Sequence, residues 1–199
     1  MGLAMEYIKT IRKPEVHDFD DLLGSVIAVG LGVKTPAERK SVQNNVGSVI
    51  ERHLADILEF EFPNIEGADL SSDGYKVIVE VKNRHNTLNA GGKERVKVAM
   101  KRLTGLHGRF HGYEKFLVIV HPRTAGHMHK LGNGITEISA ARFCHTYGVN
   151  FRKEYLRLVR EVAAFYGVDV PTIPKYYDDV VFKVRKRTRR RRKNLTPKE

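Results

Sequence analysis

Tyr75-Lys76-Val77-Ile78-Val79-Glu80-Val81-Lys82 decides the fold of this chain. The stretch alternates and is rich in β-branched residues, which predicts a strand. Alternation puts Val77, Val79 and Val81 on one face and Lys76, Ile78, Glu80 and Lys82 on the other, so Glu80 and Lys82 point the same way. Upstream, Ala68-Asp69-Leu70 is a short extended run that precedes the turn signal Ser71-Ser72-Asp73-Gly74. Together the two runs read as a β-hairpin.

Working outward, Phe60 to Glu66 contains Pro63 and Asn64 and breaks whatever precedes it. What precedes it is a helix of about six turns. Thr35-Pro36-Ala37-Glu38 supplies a hydroxyl cap, a first-turn proline and an early acid. Val42, Val46, Val49, Ile50, Leu54, Ile57 and Leu58 then recur at helical spacing. From His17 to Val33, acids alternate with Leu22, Leu23, Val26, Ile27 and Val29, a pattern that suits a short helix broken by Gly24, Gly30 and Gly32. Downstream, Lys93 to Leu103 is helical in pattern, with Lys93, Arg95, Lys97, Lys101 and Arg102 around an apolar set. Phe116-Leu117-Val118-Ile119-Val120 reads as a strand buried on both faces. Residues 135–147 and 151–166 read as two helices split by Gly148. Helical and extended patterns mixed along one chain make the expected class α/β.

The chain has 199 residues, 41% of them hydrophobic, enough for one compact domain with an appendage. Its 35 Lys and Arg outnumber 23 Asp and Glu, for a formal charge of +12 that favours a polyanionic partner. Residues 183–199 hold ten basic side chains and one acid, leaving 25 against 22 for residues 1–182, so the body is only mildly basic. The division expected is a domain over 1–182 and an Arg-rich tail over 183–199, disordered by self-repulsion. Cys144 is the single cysteine, which rules out an intramolecular disulfide framework and a cysteine-rich zinc finger and fits a reducing compartment. Met1 to Pro14 lacks the apolar core of a signal peptide, and no run approaches the roughly 20 residues that span a bilayer. A soluble, cytoplasmic protein with no membrane partner is expected.

Ten residues separate Asp69 from Glu80, and Lys82 follows two further on. Hydrolysing a phosphodiester requires neutralising phosphoryl charge, activating a water and orienting it. Two carboxylates on neighbouring strands can grip magnesium, a hard cation that prefers oxygen, and leave positions open for water and phosphate. Asp69 and Glu80 suit that role, the Val81 carbonyl can add a ligand, and Lys82 can hold or help deprotonate the attacking water. Spacing alone leaves a second reading standing, because solvated ion pairs on strand faces share the pattern.

These residues resemble a known family. Ala68-Asp69 with Glu80-x-Lys82 is similar to the PD-(D/E)xK nuclease signature, with alanine where the motif name has proline. Glu80-Val81-Lys82-Asn83-Arg84-His85-Asn86-Thr87 resembles the E-(I/V)-K-N-(K/R)-H-N-T run of type II restriction endonucleases, particularly those that cut GGNCC sites. Ile135-Thr136-Glu137-Ile138-Ser139, with Phe143, is a weaker likeness to the I-x-x-I-S-G…F-Y segment of those enzymes, from which Ala140 and Cys144 depart. The resemblance spans roughly residues 35–166. It implies a restriction-endonuclease-like fold, a mixed central sheet flanked by helices, and a magnesium-dependent endonuclease, homodimeric on a palindromic DNA duplex, that leaves a 5′-phosphate and uses no organic cofactor. It places Asp69, Glu80 and Lys82 at the catalytic positions. Many members add an acid from the preceding helix, for which Glu51 is the choice here over Glu59. Asn83, Arg84, His85, Asn86 and Thr87 leave the catalytic strand towards the DNA, where Asn and Arg can read bases, grip phosphate or satisfy a turn. Lys93 and Arg95 lead a basic helix that can track the backbone or stay solvated.

Other signals are weaker. His121, His127 and His129 suggest a zinc cluster but have no cysteine nearby and read as loop histidines. Cys144 and His145 are adjacent on a helix, about 100° apart, and cannot form a nucleophile–base pair. Cys144 reads as a small buried residue, and Gly30-x-Gly32 as a turn. Within the nuclease chemistry the alternative is a structure-selective enzyme such as a junction resolvase or a phage or repair nuclease. Outside it, the alternative is a non-catalytic nucleic-acid-binding protein whose tail supplies the affinity.

Overall fold

The computed structural model describes residues 2–10, 22–33, 40–65, 67–82, 98, 101–102, 105, 110–120 and 128–170. The elements in chain order are α1 (Leu3–Thr10), α2 (Leu22–Gly30), α3 (Lys40–Leu58), β1 (Leu70–Ser72), β2 (Val77–Lys82), β3 (Glu114–Ile119), β4 (Met128–Lys130), β5 (Ile135–Ser139), α4 (Ala140–Thr146) and α5 (Phe151–Tyr166). The five strands form one mixed sheet in the order β1-β2-β3-β5-β4. β1 runs antiparallel to β2 and β4 antiparallel to β5, while β2, β3 and β5 are mutually parallel. The class is α/β, as expected.

The two faces of β2 divide the interior as its alternation requires. Val77, Val79 and Val81 join the larger core, built from the apolar faces of α1, α2, α3 and α5. Ile78 turns to a smaller one with Ala68, Phe110 and Tyr113. The α3 stripe is buried at Val42, Val46, Val49, Ile50, Leu54 and Leu58, with Ile57 half-buried at its margin. α3 stops because Glu59 turns left-handed (φ 56°) and the Phe60 N–H closes back on the Ala55 carbonyl at 3.0 Å, a Schellman-type end.

Three expectations need correction. The hairpin turn lies at 73–76, not at Ser71–Gly74. Ser71 exchanges two main-chain bonds with Glu61, at 2.8 and 2.9 Å, and so is drawn into the ladder. The turn is fastened instead by the Tyr113 hydroxyl, which donates to Asp73 Oδ1 at 2.8 Å, and Lys76 takes the left-handed conformation (φ 54°). The helix expected over 135–147 is a strand followed by a short helix. Ile135–Ser139 lies between β3 and β4, its β-branched residues favouring the extended form, and Ser139 then caps α4 by accepting from the Arg142 N–H at 3.3 Å. Gly24 is buried within α2 and does not break it.

α5 matches its expected span, with Asn150 accepting from Lys153 N–H at 3.1 Å and Gly167 closing it at φ 64°. Gly30 is required where α2 abuts α5, since a Cβ there would lie 2.2 Å from Tyr166 Cγ. Gly32 turns the chain at φ 63°. Among the described residues no helix is long and apolar enough to cross a membrane. The expected helix start at 35–38, residues 83–97 with Lys93, Arg95 and Lys97 of the expected basic helix, and the 183–199 tail lie outside the described residues.

Candidate active site

The site grows from the point where the β1–β2 ladder ends. Leu70 pairs with Val79, and one step on the Asp69 N–H donates to the Val79 carbonyl at 2.8 Å. There main chain gives way to side chain: Asp69 Oδ2 accepts from the Val81 N–H at 2.6 Å, standing in for the missing strand partner. Even-numbered residues of β2 bond towards β3, as Glu114 N–H to Lys76 O (2.8 Å) and Val120 N–H to Lys82 O (2.9 Å) show. The Val81 carbonyl therefore faces the β1 side, beyond the last strand pair. Lys82 Nζ donates to it at 3.0 Å and also to Glu80 Oε1. Glu80 is 2% exposed, whereas the Lys82 side chain is 32% exposed. The amine thus links a buried carboxylate to solvent on the face that alternation assigned to both.

Two acids here resist ionisation. Burial and then the neighbouring Glu80 raise the Asp69 carboxyl above its ordinary range, against the Val81 N–H, Lys82 and Arg102, which lower it. Glu51, half-buried on α3, is raised to about 7, first by burial and then by Asp69, with Lys82 and Arg52 opposing and Glu80 adding to the rise. Glu51 is thus electrostatically part of the hairpin site. Three acids outnumber the one amine seated among them, an imbalance an added cation would relieve.

Among the described residues no group of three or more His, Cys, Asp or Glu side chains is gathered as a ready metal cage. Glu80 Oε1 and the Val81 carbonyl instead share the Lys82 amine, a cation already seated on both. Carboxylate and carbonyl oxygens suit a magnesium ion that keeps several of its waters, and not a zinc cage. On donor chemistry the residues present fit magnesium.

Hydrogen bonds thus bring Asp69, Val81, Lys82 and Glu80 together, and Glu51 enters their electrostatic environment from α3. Asn83, Arg84, His85, Asn86, Thr87, Lys93 and Arg95 lie outside the described residues, as do His121 and His127. His129 is exposed on β4, in register with Glu137 on β5. Cys144 is fully buried with its thiol pushed up to about 12 by burial, in keeping with a packing role. The sequence leaves Arg102 on a basic helix that can track the DNA backbone or stay solvated, and does not disclose its proximity to Asp69. The signal was Gly67: at φ 96° it has no room for a side chain, because a Cβ would lie 2.6 Å from Arg102 Cβ.

Residues 34–131 match the Eco47II restriction endonuclease family. The Eco47II match takes in Glu51, Asp69, Glu80, Lys82 and the 83–87 run, and supports a DNA endonuclease of restriction type. It ends before Ile135–Ser139, so the weaker likeness seen there lies beyond it. Comparison with curated proteins and with solved structures finds no match.

Proposed function

We propose that this chain is a magnesium-dependent, type II restriction-like endonuclease that hydrolyses duplex DNA at a specific site and leaves 5′-phosphate ends. The observation that carries the reading is the meeting of Asp69, Glu80, the Val81 main chain and Lys82 at the open end of one hairpin. The Eco47II match chooses the substrate class. A GGNCC-like target, a homodimer that presents one such site to each strand, and a nuclease domain over 1–182 with a DNA-binding tail belong to the same proposal.

Asp69, Glu80, the Val81 carbonyl and Glu51 would hold the magnesium. When bound, it supplies positive charge for the phosphoryl oxygens and the attacking water. The Val81 N–H fixes one oxygen of Asp69 and so aims the other. Glu80, held by the sheet in an almost solvent-free position, pins the Lys82 amine through Oε1. Lys82 Nζ, tethered there and at the Val81 carbonyl, orients the hydrolytic water and assists removal of its proton.

The test is to incubate purified protein with plasmid and linear duplex DNA, with magnesium or with EDTA, and to sequence the product ends. Discrete magnesium-dependent fragments with a constant stagger uphold the proposal. Cleavage confined to branched DNA would instead mark a junction-selective enzyme. Binding without any nicking would mark a non-catalytic DNA-binding protein. A readout independent of activity is thermal melting: magnesium raises the Tm of the wild type by mass action and has a smaller effect on Glu80→Gln.

A further inference from the structure

Arg102 is exposed and helical, yet its backbone is pressed against the loop that delivers the first catalytic acid. A Cβ on Gly67 would lie 2.6 Å from Arg102 Cβ, 3.2 Å from its carbonyl carbon and 3.3 Å from its Cα. Gly67 itself is buried and precedes Asp69 by two residues. Packing this close is achieved only with glycine in a left-handed conformation, so the chain accepts a constrained backbone where Arg102 meets the site. The guanidinium reaches the electrostatic environment of Asp69, and among the described residues no ion pair joins the two. A planar cation with several N–H donors, anchored at its backbone and solvent-facing at its tip, is built to receive a tetrahedral oxyanion.

We propose that Arg102 is a substrate-contacting residue that grips the phosphate group of the DNA strand lying across Asp69, Glu80 and Lys82. The proposal rests on the hydrolytic reading above for its substrate, and it adds the group that holds that substrate in place. Arg102 neutralises charge on the non-bridging oxygens and fixes the phosphorus in front of the water that Lys82 orients. Lys101, its exposed neighbour, projects about 100° away around the helix and does not share the contact.

Arg102→Ala keeps the Cβ that packs on Gly67 and removes the cation, so the fold survives, and Arg102→Lys keeps charge without the fork. Two measurements are made on full-length protein and a short duplex: the salt dependence of binding without divalent metal, and the single-turnover cleavage rate with saturating magnesium. Arg102→Ala is expected to lower the magnitude of the salt slope by about one and to slow single-turnover cleavage about 100-fold. Arg102→Lys is expected to recover most of the slope but little of the rate. A duplex with one neutral methylphosphonate at the cleaved position should abolish the difference in binding between wild type and Arg102→Ala. If the wild type cuts and Arg102→Ala changes neither slope nor rate, the contact is refuted while the hydrolytic reading stands. If the wild type binds without cutting, the hydrolytic reading fails, and loss of slope in Arg102→Ala still upholds the phosphate contact.

Discussion

Lys82 and Glu80 are a partnership of unequal burial, and their substitutions should differ for that reason. Removing Lys82 strands a carboxylate that is 2% exposed. Removing Glu80 leaves an amine that can turn to water. Glu80→Gln and Lys82→Gln are both expected to slow single-turnover cleavage by about 100-fold or more. Lys82→Ala should in addition lower the urea midpoint, since an unpaired buried charge costs several kcal/mol, on the order of 3. Denaturation of the three variants at one pH checks the asymmetry. Gly67→Ala is a second prediction at this scale. The φ of 96° and the 2.6 Å approach to Arg102 Cβ together should cost about 1–3 kcal/mol. They should also push Arg102 off the site, reducing cleavage more than Ala substitution at an exposed loop glycine would.

Elements differ in how far local sequence determines them. The faces of β2 and the stripe of α3 were legible because burial follows period 2 and period 3.6 directly. β5 was not. Ile135-Thr136-Glu137-Ile138-Ser139 is too short to separate strand from helix by spacing, and what settles it is a parallel partner, β3, that lies in sequence outside any local window. β4, three exposed residues, carries no periodic signal at all. The turn moved because Tyr113 and Glu61, both distant, decide which of the two serines and Asp73 enter the ladder. Of the candidate site, Asp69, Glu80, Val81 and Lys82 were readable from one hairpin. Glu51 depended on the resemblance to a nuclease family, and Arg102 required two segments to meet. Phe143 illustrates the element scale energetically. It is 1% exposed and its ring packs with Phe60, Phe116 and Tyr147 at centroid distances of 5.1–6.2 Å, tying α4 to the sheet. Phe143→Ala should cost about 3–5 kcal/mol, read as a lowered urea midpoint at unchanged slope.

At the scale of the molecule, buried His53 and half-buried Glu51, both on α3, oppose one another in pH. His53 is held down to about 4 by burial and by Arg157, a hydrogen bond to the Glu154 backbone opposing the shift, and its Nε2 is buried without a hydrogen-bond partner. A folded pKa below the ordinary 6.5 means the unfolded chain takes up the proton first, so stability is lost as pH falls from 6.5 towards 4. Glu51 is the converse: raised from 4.5 to about 7, it holds its proton in the fold, and stability is lost as pH rises from 4.5 to 7. Without metal the two slopes largely cancel between 4.5 and 6.5, each at most about 1.4 kcal/mol per pH unit. Glu51→Gln should therefore gain stability relative to the wild type progressively from pH 4.5 to 7 while losing cleavage. His53→Asn should gain relative stability as pH falls from 6.5 to 4. Urea midpoints across that range test both. Parallel wild-type and variant curves would overturn the assignment of the charge penalty to these two groups.

The carboxylate that replaces a strand at Val81 has a practical consequence for anyone wanting an inert form of the protein to capture with its nucleic acid. Silencing it at Asp69 would orphan a main-chain N–H and let the sheet margin fray, so a failed capture could report damage instead of chemistry. Silencing it at Glu80 leaves the hairpin's stitching whole. The better decoy is thus the one whose missing group was never part of the weave.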